Sequence, residues 1–318
     1  MKQKGFLGID TSCYTTSVAV IGADGNLLSE ARQILAVRPG RCGLQQSEMV
    51  FQHTRNLPIL LEQALQKINA EICGIGVSGY PRPIKDSYMP AFLAGMSAAR
   101  AIAAVSKVPL HIISHQENHM EAGMWSAQGP VAKKFLMLHA SGGTTDMLLV
   151  QLGENGRYLL QQAGGSMDLH AGQFIDRVGV ALGLQFPTGP QLESLAETAK
   201  YRTELPVSVR KLNVSLSGPA TAALRKLQAG EDKAALALGV EYALAETFVR
   251  MLRNGAIAFD IKDVLLVGGV ASNKFIRTYL ESKLKQKGVK LWIPEARFSC
   301  DNASGCAAYA RRMGNIYG

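Results

Sequence analysis

FLMLHASGGTTDMLLVQLGENGRYLLQQA, the stretch from Phe135 to Ala163, carries the clearest structural pattern in the chain. The pattern predicts a strand, a tight glycine loop, a second strand, a turn at Asn155-Gly156 and a third strand. Glycines in such a loop let backbone N–H groups approach an anion closely, and neighbouring hydroxyls can add hydrogen bonds. We therefore predict a phosphate-binding loop formed by Ser141, Gly142, Gly143, Thr144 and Thr145.

A similar stretch, FLGIDTSCYTTSVAVIGADGNLLSEA, runs from Phe6 to Ala31 near the amino terminus. The two stretches lie about 130 residues apart, which is the size of one domain. Two halves that each begin with the same hairpin predict a duplicated α/β fold that holds a nucleotide phosphate between the halves. The matching positions are Ser12 with Ser141, Thr15-Thr16 with Thr144-Thr145, and Asp24-Gly25 with Asn155-Gly156.

Strands alternate with helices in the rest of the chain, a pattern typical of an α/β sheet. Gly129-Pro130 interrupts the pattern, so we expect one domain over residues 1–128 and a second over residues 129–318. We also expect the last helix to pack back on the first domain.

The composition is that of an ordinary globular protein, with 47% hydrophobic and 19% charged residues in 318. No apolar run is long enough to cross a bilayer, the start lacks a signal peptide, and five scattered cysteines contain no C-x-x-C. These features indicate a cytoplasmic protein without a membrane partner. A net charge of +9 is compatible with a polyanion such as tRNA, or with a basic surface that aids solubility.

A metal site is predicted from His115 and His119, which are four residues apart on a helix and share one face. Ser114 and Glu117 form a capping-box pattern that makes His115 the first helical residue. The pattern is not the H-E-x-x-H of metallopeptidases. A hydrogen-bonded, partly buried histidine pair is the alternative. The candidates for a further metal ligand are Asp301 and His139.

Two further positions have polar residues at the ends of predicted strands. Asp10 ends the first strand, where an acid commonly orients water or a divalent cation, although it can also cap its own loop. Gly268 and Gly269 predict a tight strand-to-helix turn, and Asn273 can hydrogen-bond a ribose or a base. Taken alone, that turn is a common one.

Taken in order, the motifs resemble those of the TsaD family, the tRNA threonylcarbamoyladenosine transferases formerly called O-sialoglycoprotein endopeptidases. The matching segments are I-D-T-S-C, H-x-x-x-H, S-G-G-x-T, A-G-x-x-x-D-R-V, P-x-G-P, G-G-V-A-S-N and C-D-N-A, between about Gly8 and Ala308. The resemblance implies the ASKHA fold of actin, heat-shock chaperones and sugar kinases. That fold has two domains around a nucleotide cleft.

The resemblance also implies an activity, which is the transfer of a threonylcarbamoyl group from threonylcarbamoyl-adenylate to N6 of the adenosine next to the anticodon in tRNA. A divalent metal ion, iron or zinc, would be bound by His115, His119 and Asp301, with His139 at a position where some members have tyrosine. We expect the imidazoles from one half to meet the carboxylate from the other. TsaB-like or TsaE-like partner proteins and dimerisation are further expectations.

Site roles follow from the residues themselves and from the same resemblance. Catalytic roles are assigned to Asp10 and Ser12. ATP, ADP or the adenylate would be bound by Ser141, Gly142, Gly143, Thr144, Thr145, Asp176, Gly189, Glu193, Gly268, Gly269 and Asn273.

The chain departs from the family pattern at several site positions. The family's S-C-D-E-T reads Ser12-Cys13-Tyr14-Thr15-Thr16 here, and the histidine of S-G-G-H-T is replaced by Thr144. Two alternatives therefore stay open. One is a divergent, non-catalytic nucleotide-binding paralogue that partners a true TsaD, and the other is a small-molecule kinase or ATPase of the same fold.

Overall fold

The computed structural model describes residues 2–37, 43–66 and 68–317. Contacts between residues divide the chain into two compact units. The first unit comprises Met1–Ser126, Glu154–Gly156 and Phe298–Gly318, and the second comprises Ala127–Gly153 and Arg157–Arg297.

The first unit is built on a five-stranded sheet with the order β3-β2-β1-β4-β5. Strand β1 pairs antiparallel with β2, and β2 pairs antiparallel with β3, whereas β1, β4 and β5 are parallel. The carboxyl ends of the three parallel strands therefore share one edge of the sheet. The bounds are β1 Gln3–Asp10, β2 Thr15–Gly22, β3 Leu27–Ile34, α1 Gln46–Gln66, β4 Ala70–Tyr80, α2 Phe92–Ser106, β5 Leu110–Ser114 and α3 His115–Ala127.

The second unit contains a seven-stranded sheet with the order β12-β11-β6-β7-β8-β10-β9. Its five strands β8-β7-β6-β11-β12 repeat the order and the strand directions of the first sheet, as the sequence duplication predicts. The bounds are β6 Lys134–Ala140, β7 Thr145–Leu152, β8 Tyr158–Ser166, α4 Ala171–Ala181, α5 Gly189–Ala196, β9 Val209–Arg210, β10 Asn213–Val214, α6 Ser217–Gln228, α7 Lys233–Phe259, β11 Asp263–Val267, α8 Lys274–Lys285 and β12 Lys290–Trp292.

The chain then returns to the first unit. A short helix, α9 (Ala296–Ser299), precedes the last helix, α10 (Ser304–Tyr317). Helix α10 lies directly against the first sheet, because β1 and β4 present glycines to it. A Cβ added to Gly8 would lie 2.1 Å from the carbonyl oxygen of Ala303, and one added to Gly76 would lie 2.0 Å from that of Cys306.

Strand alternation explains how the first sheet is covered on both faces. Apolar side chains such as Leu7, Ile9 and Ile75 pack with α1 and α2 on one face. The opposite face, with Ile21, packs against Ala307 of α10. Within the described part of the chain, no helix combines the length and the apolar character needed to cross a bilayer.

Candidate functional site

The first two turns of α3 carry the two histidines of the predicted metal site. The predicted capping box is confirmed, because the Ser114 amide donates to Glu117 Oε2 at 2.7 Å and the Glu117 amide donates to Ser114 Oγ at 3.1 Å. This cap fixes the start of α3 at His115. The Nε2 atoms of His115 and His119 are 3.2 Å apart and point into the same space.

Asp301 brings a carboxylate to this histidine pair. Its Oδ1 atom lies 3.3 Å from His119 Nε2 and 3.6 Å from His115 Nε2. One ligand atom from each of the three residues lies within 4.8 Å of the other two. The three side chains therefore form a compact group that can bind a single ion.

The turn that carries Asp301 is attached to α3 by the next residues of the chain. Asn118 Nδ2 donates to the carbonyl oxygen of Asn302 at 2.8 Å. A Cβ added to Gly305 would lie 1.9 Å from the carbonyl oxygen of Asn118, so only glycine allows this approach. The position of the carboxylate thus depends on the packing of α10 against α3.

Burial and hydrogen bonding together determine the protonation states of the three proposed ligands. It lowers the pKa of both His115 and His119, so each imidazole is neutral at neutral pH and has a nitrogen lone pair available. Burial opposes ionisation of Asp301, but the hydrogen bonds from His119 and from the Tyr14 backbone help to hold its pKa below the usual range, so the carboxylate is ionised. Two neutral imidazoles and one carboxylate, with open positions beyond them, fit divalent iron or zinc.

The structure differs from the expectation that the carboxylate comes from the second half of the fold. Asp301 belongs to the first unit together with both histidines, because the chain re-enters that unit at Phe298. His139 lies in β6 of the second unit, where its side chain is buried, and it is not part of the three-residue group. Its role as a fourth metal ligand stays a prediction.

Asp10 ends β1 at the edge of the sheet that carries the metal ligands. Its carboxylate is fully buried, accepts a hydrogen bond from Ser12 Oγ at 2.9 Å and lies 3.9 Å from His115 Nδ1. Burial and the negative charge of Asp301 raise the pKa of Asp10 to about 7. The acid can therefore hold or release a proton near neutral pH.

Ser78 is a partner of Asp10 that our sequence analysis did not identify. Its hydroxyl donates to Asp10 Oδ1. A signal was present, because Ser78 lies near the carboxyl end of β4, and β4 is the parallel neighbour of β1. Polar residues at adjacent ends of parallel strands are expected to meet.

His53 in α1 fixes the loop between β1 and β2, and the sequence analysis missed it as well. Burial lowers its pKa to about 4, so the ring is neutral. Nδ1 lies 2.8 Å from Thr16 Oγ1, and Nε2 lies 3.2 Å from the carbonyl oxygen of Cys13. Since a carbonyl can only accept, Nε2 carries the proton and Nδ1 accepts from the threonine hydroxyl.

In the second unit, the predicted phosphate loop joins β6 to β7. The Ser141 amide donates to the carbonyl oxygen of Thr144 at 2.8 Å, which closes the turn. Thr145 Oγ1 accepts from the amide of Ala171 at 2.8 Å, which ties the loop to the start of α4. A Cβ added to Gly142 or Gly143 would meet no atom within 4 Å, and neither residue has a positive φ. The space above these glycines is open to a ligand.

Asp176 and Gly189 are brought together by Thr188. The Thr188 amide and hydroxyl donate to Asp176 Oδ1 at 2.8 and 3.1 Å. Burial raises the pKa of Asp176. Gly189 begins α5, and a Cβ there would again meet no atom within 4 Å.

Glu193 and Asn273 meet at the start of α8. Glu193 Oε1 accepts from the Lys274 amide at 2.8 Å. Asn273 caps the helix through Oδ1, which accepts from the Ile276 amide at 2.8 Å, while its Nδ2 donates to Glu241. Both ends of the Asn273 amide are therefore fixed in orientation.

Gly268 and Gly269 form the turn that leads to this helix. Gly268 has φ +98°, and a Cβ there would lie 2.2 Å from the carbonyl oxygen of Ala140, so glycine is required. Gly269 begins a 3-10 turn, Gly269–Ser272. This turn therefore packs beside the strand end that opens into the Ser141 loop.

Glu241 of α7 is a buried acid that our sequence analysis did not identify. Only 2% of its surface is exposed, and burial, with Glu193 and Glu197 nearby, raises its pKa to about 7. The signal that sequence reasoning could have used is that Glu241 is flanked on both sides by apolar residues, from Ala234 to Val240 and from Tyr242 to Ala245.

Comparison of the sequence with known families gives one assignment. Residues 43–308 match the family described as TsaD, tRNA N6-adenosine threonylcarbamoyltransferase. The tRNA N6-adenosine threonylcarbamoyltransferase of Methanopyrus kandleri is 30% identical over 300 residues, covering 94% of this chain and 84% of the relative.

Comparison with solved structures agrees with the predicted fold class. Component A of the Acidaminococcus fermentans (R)-2-hydroxyglutaryl-CoA dehydratase matches with a TM-score of 0.58 at 15% identity, covering 98% of this chain and 99% of that one. A ROK family glucokinase from Streptomyces griseus matches with a TM-score of 0.53 at 10% identity, covering 96% and 98%. These likenesses confirm the duplicated ASKHA fold.

Proposed function

This chain belongs to the TsaD family, and we propose that it transfers a threonylcarbamoyl group from threonylcarbamoyl-adenylate to N6 of the adenosine next to the anticodon in tRNA. The proposal is supported chiefly by the group of His115, His119 and Asp301, whose ligand atoms lie within 4.8 Å of one another. We further propose that the reaction takes place in the cytoplasm with TsaB-like or TsaE-like partner proteins.

The residues of the first unit would hold a divalent iron or zinc ion, and one of them would accept the proton that the reaction releases. When bound, the ion would supply Lewis-acid polarisation of the carbamoyl oxygen. In the transfer, the N6–carbon bond forms, the bond from that carbon to the phosphate oxygen breaks, AMP leaves, and N6 loses a proton. Asp10, with a pKa of about 7, is the group we assign to take up that proton. Ser12 and Ser78 donate to its carboxylate and fix its orientation.

The residues of the second unit would bind the adenosine phosphate. The open space above Gly142 and Gly143 would let loop N–H groups approach the phosphate and stabilise its charge as it leaves. Asp176 and Glu193 offer carboxylates for the ribose hydroxyls, and Asn273, held by Glu241, is assigned to the nucleotide. The acceptor adenosine lies in an unpaired loop of tRNA, where a protein can reach its N6 amine.

The test is reconstitution with threonylcarbamoyl-adenylate, unmodified tRNA and the partner proteins, followed by mass spectrometry of the tRNA nucleosides. Wild-type protein should form N6-threonylcarbamoyladenosine. Asp301→Asn should abolish product, and Glu281→Gln, which changes an acid on the surface of α8, should not.

Two outcomes would contradict the transferase assignment. Bound nucleotide without any modified tRNA would favour the non-catalytic paralogue. A phosphorylated small molecule that forms only while Asp10 is intact would favour a kinase of the same fold.

A further inference from the structure

The connection between β4 and α2, residues 81–91, is held at both ends by the first turn of α3. At one end the Gln116 amide donates to the carbonyl oxygen of Pro81 at 3.2 Å. At the other end the ring of Phe92 contacts the ring of His115 edge-on, with 6.3 Å between centroids. The connection therefore lies directly beside His115, one of the proposed metal ligands.

The backbone of this connection is folded on itself. The Arg82 amide donates to Ser87 Oγ at 3.0 Å, and the Ser87 amide donates to the carbonyl oxygen of Ile84 at 3.3 Å. Prolines 81 and 83 restrict it further. A connection with such internal bonds presents its outward side chains in defined positions, so a ligand meets a preformed surface.

The outward side chains of the connection are Ile84, Lys85 and Tyr88. Ile84 is 64% exposed and Tyr88 is 66% exposed, and Lys85 is exposed between them. Asp86 is exposed as well, so the surface is not uniformly basic. Exposed aromatic and basic side chains together are typical of surfaces that bind single-stranded nucleic acid.

We propose, in an inference that rests on the proposed function, that residues 81–91 form the surface that binds the unpaired nucleotides of the tRNA anticodon loop. The ring of Tyr88 stacks on a base, and Lys85 faces a phosphate. The placement favours RNA over a partner protein, because the connection adjoins the start of α3, where His115 is one of the proposed metal ligands. Ile84 adds apolar contact to a base or a sugar.

The experiment measures binding of unmodified tRNA to the assembled transferase. Tyr88→Ala should weaken binding by about tenfold, because the stacking of one base is lost. Tyr88→Phe keeps the ring and should bind within about twofold of wild type. Lys85→Gln should reduce the slope of log affinity against log salt by about 0.7, the value for one phosphate contact on a single strand.

The matched control is Phe51→Ala, which removes an aromatic side chain that is 55% exposed on α1 of the same unit. It should leave tRNA affinity unchanged. A photoreactive aromatic residue at position 88 should cross-link to the anticodon loop, and the same residue at position 51 should not. ATP affinity should be equal in all variants.

The outcomes separate this inference from the proposed function. If wild type modifies tRNA and Tyr88→Ala binds tRNA as tightly as wild type, the inference is overturned and the function stands. If Tyr88→Ala instead weakens assembly with the partner proteins at unchanged tRNA affinity, the surface binds protein and the inference is again overturned. If wild type neither binds nor modifies tRNA, the proposed function fails with it.

Discussion

The Nε2 atom of His119 lies 3.3 Å from Oδ1 of Asp301, and this pair joins α3 to the turn before α10. The two residues are far apart in sequence, and the contact exists because α10 packs against the same sheet that leads into α3. A change in helix packing should therefore alter the metal site even when no ligand is replaced.

Replacing one ligand should remove the metal. Asp301→Asn is expected to lower the metal content of purified protein at least tenfold, because an amide replaces the anionic oxygen of the donor set. Elemental analysis of the intact protein measures this directly, with Glu281→Gln as the control. Equal metal content in Asp301→Asn and wild type would contradict the ligand assignment.

The pH dependence of metal retention follows from burial. Both imidazoles have pKa values below the ordinary 6.5, so protons should begin to displace the metal only below that pH. Metal content after dialysis from pH 8 to pH 5 should fall at the acid end of this series. Loss of metal beginning above pH 7 would disagree with neutral, buried ligands.

The approach of α10 to α3 can be tested at Gly305. A Cβ there would collide with the Asn118 carbonyl oxygen, so Gly305→Ala should destabilise the protein by about 1–3 kcal/mol and weaken metal binding. Thermal unfolding and metal titration measure the two effects. Gly218→Ala is the matched control, because a Cβ there meets no atom within 4 Å, and it should unfold like wild type.

Substitution of Gly142 or Gly143 in the phosphate loop should change the stability of the protein little but weaken nucleotide binding. Gly142→Ala and Gly143→Ala introduce no clash and no positive-φ strain, so the melting temperature should change little. ATP affinity should fall at least tenfold, because the methyl group occupies the space assigned to the phosphate. Unchanged ATP affinity in both variants would reject this loop as the phosphate site.

Glu241 should make stability depend on pH. Burial raises its pKa from 4.5 to about 7, so between those values the unfolded chain loses the proton first, and this contribution to stability falls as pH rises. Glu241→Gln keeps an acceptor for Asn273 and removes the buried charge. We expect it to be more stable than wild type at pH 8, by up to about 3 kcal/mol.

The comparison at low pH completes this experiment. Near pH 4.5 the buried glutamic acid is neutral in the folded protein, so wild type and Glu241→Gln should unfold almost alike in denaturant. A stability difference of the same size at pH 4.5 and pH 8 would show that packing, rather than charge, separates the two proteins.

The repeated hairpins were sufficient to predict the fold class, because the pattern of apolar residues specifies strands and helices locally. The turn predicted at Asn155-Gly156 lies between the observed strands β7 and β8. The capping box at Ser114 likewise depends on residues three positions apart, which a sequence displays directly. His115 and His119 share a helix face for the same reason.

Contacts between residues that are distant in sequence could not be predicted from such local patterns. Ser78 reaches Asp10 from the neighbouring strand, which can be foreseen only once β1 and β4 are known to pair. His53 reaches the β1–β2 loop from a separate helix, and no local pattern indicates that contact. Glu241 was overlooked because an acidic residue in a helix usually faces water. Its burial is a property of the packed second unit.

The sequence by itself determined the duplication, the order of the elements and the residue types available for metal and phosphate. Only the tertiary structure decided that Asp301 joins the histidines within the first unit. The physical reason is the close contact of α10 with the sheet, permitted by Gly8 and Gly76. Such packing depends on surfaces that exist only in the folded chain, and it places the turn that carries Asp301 in the first unit.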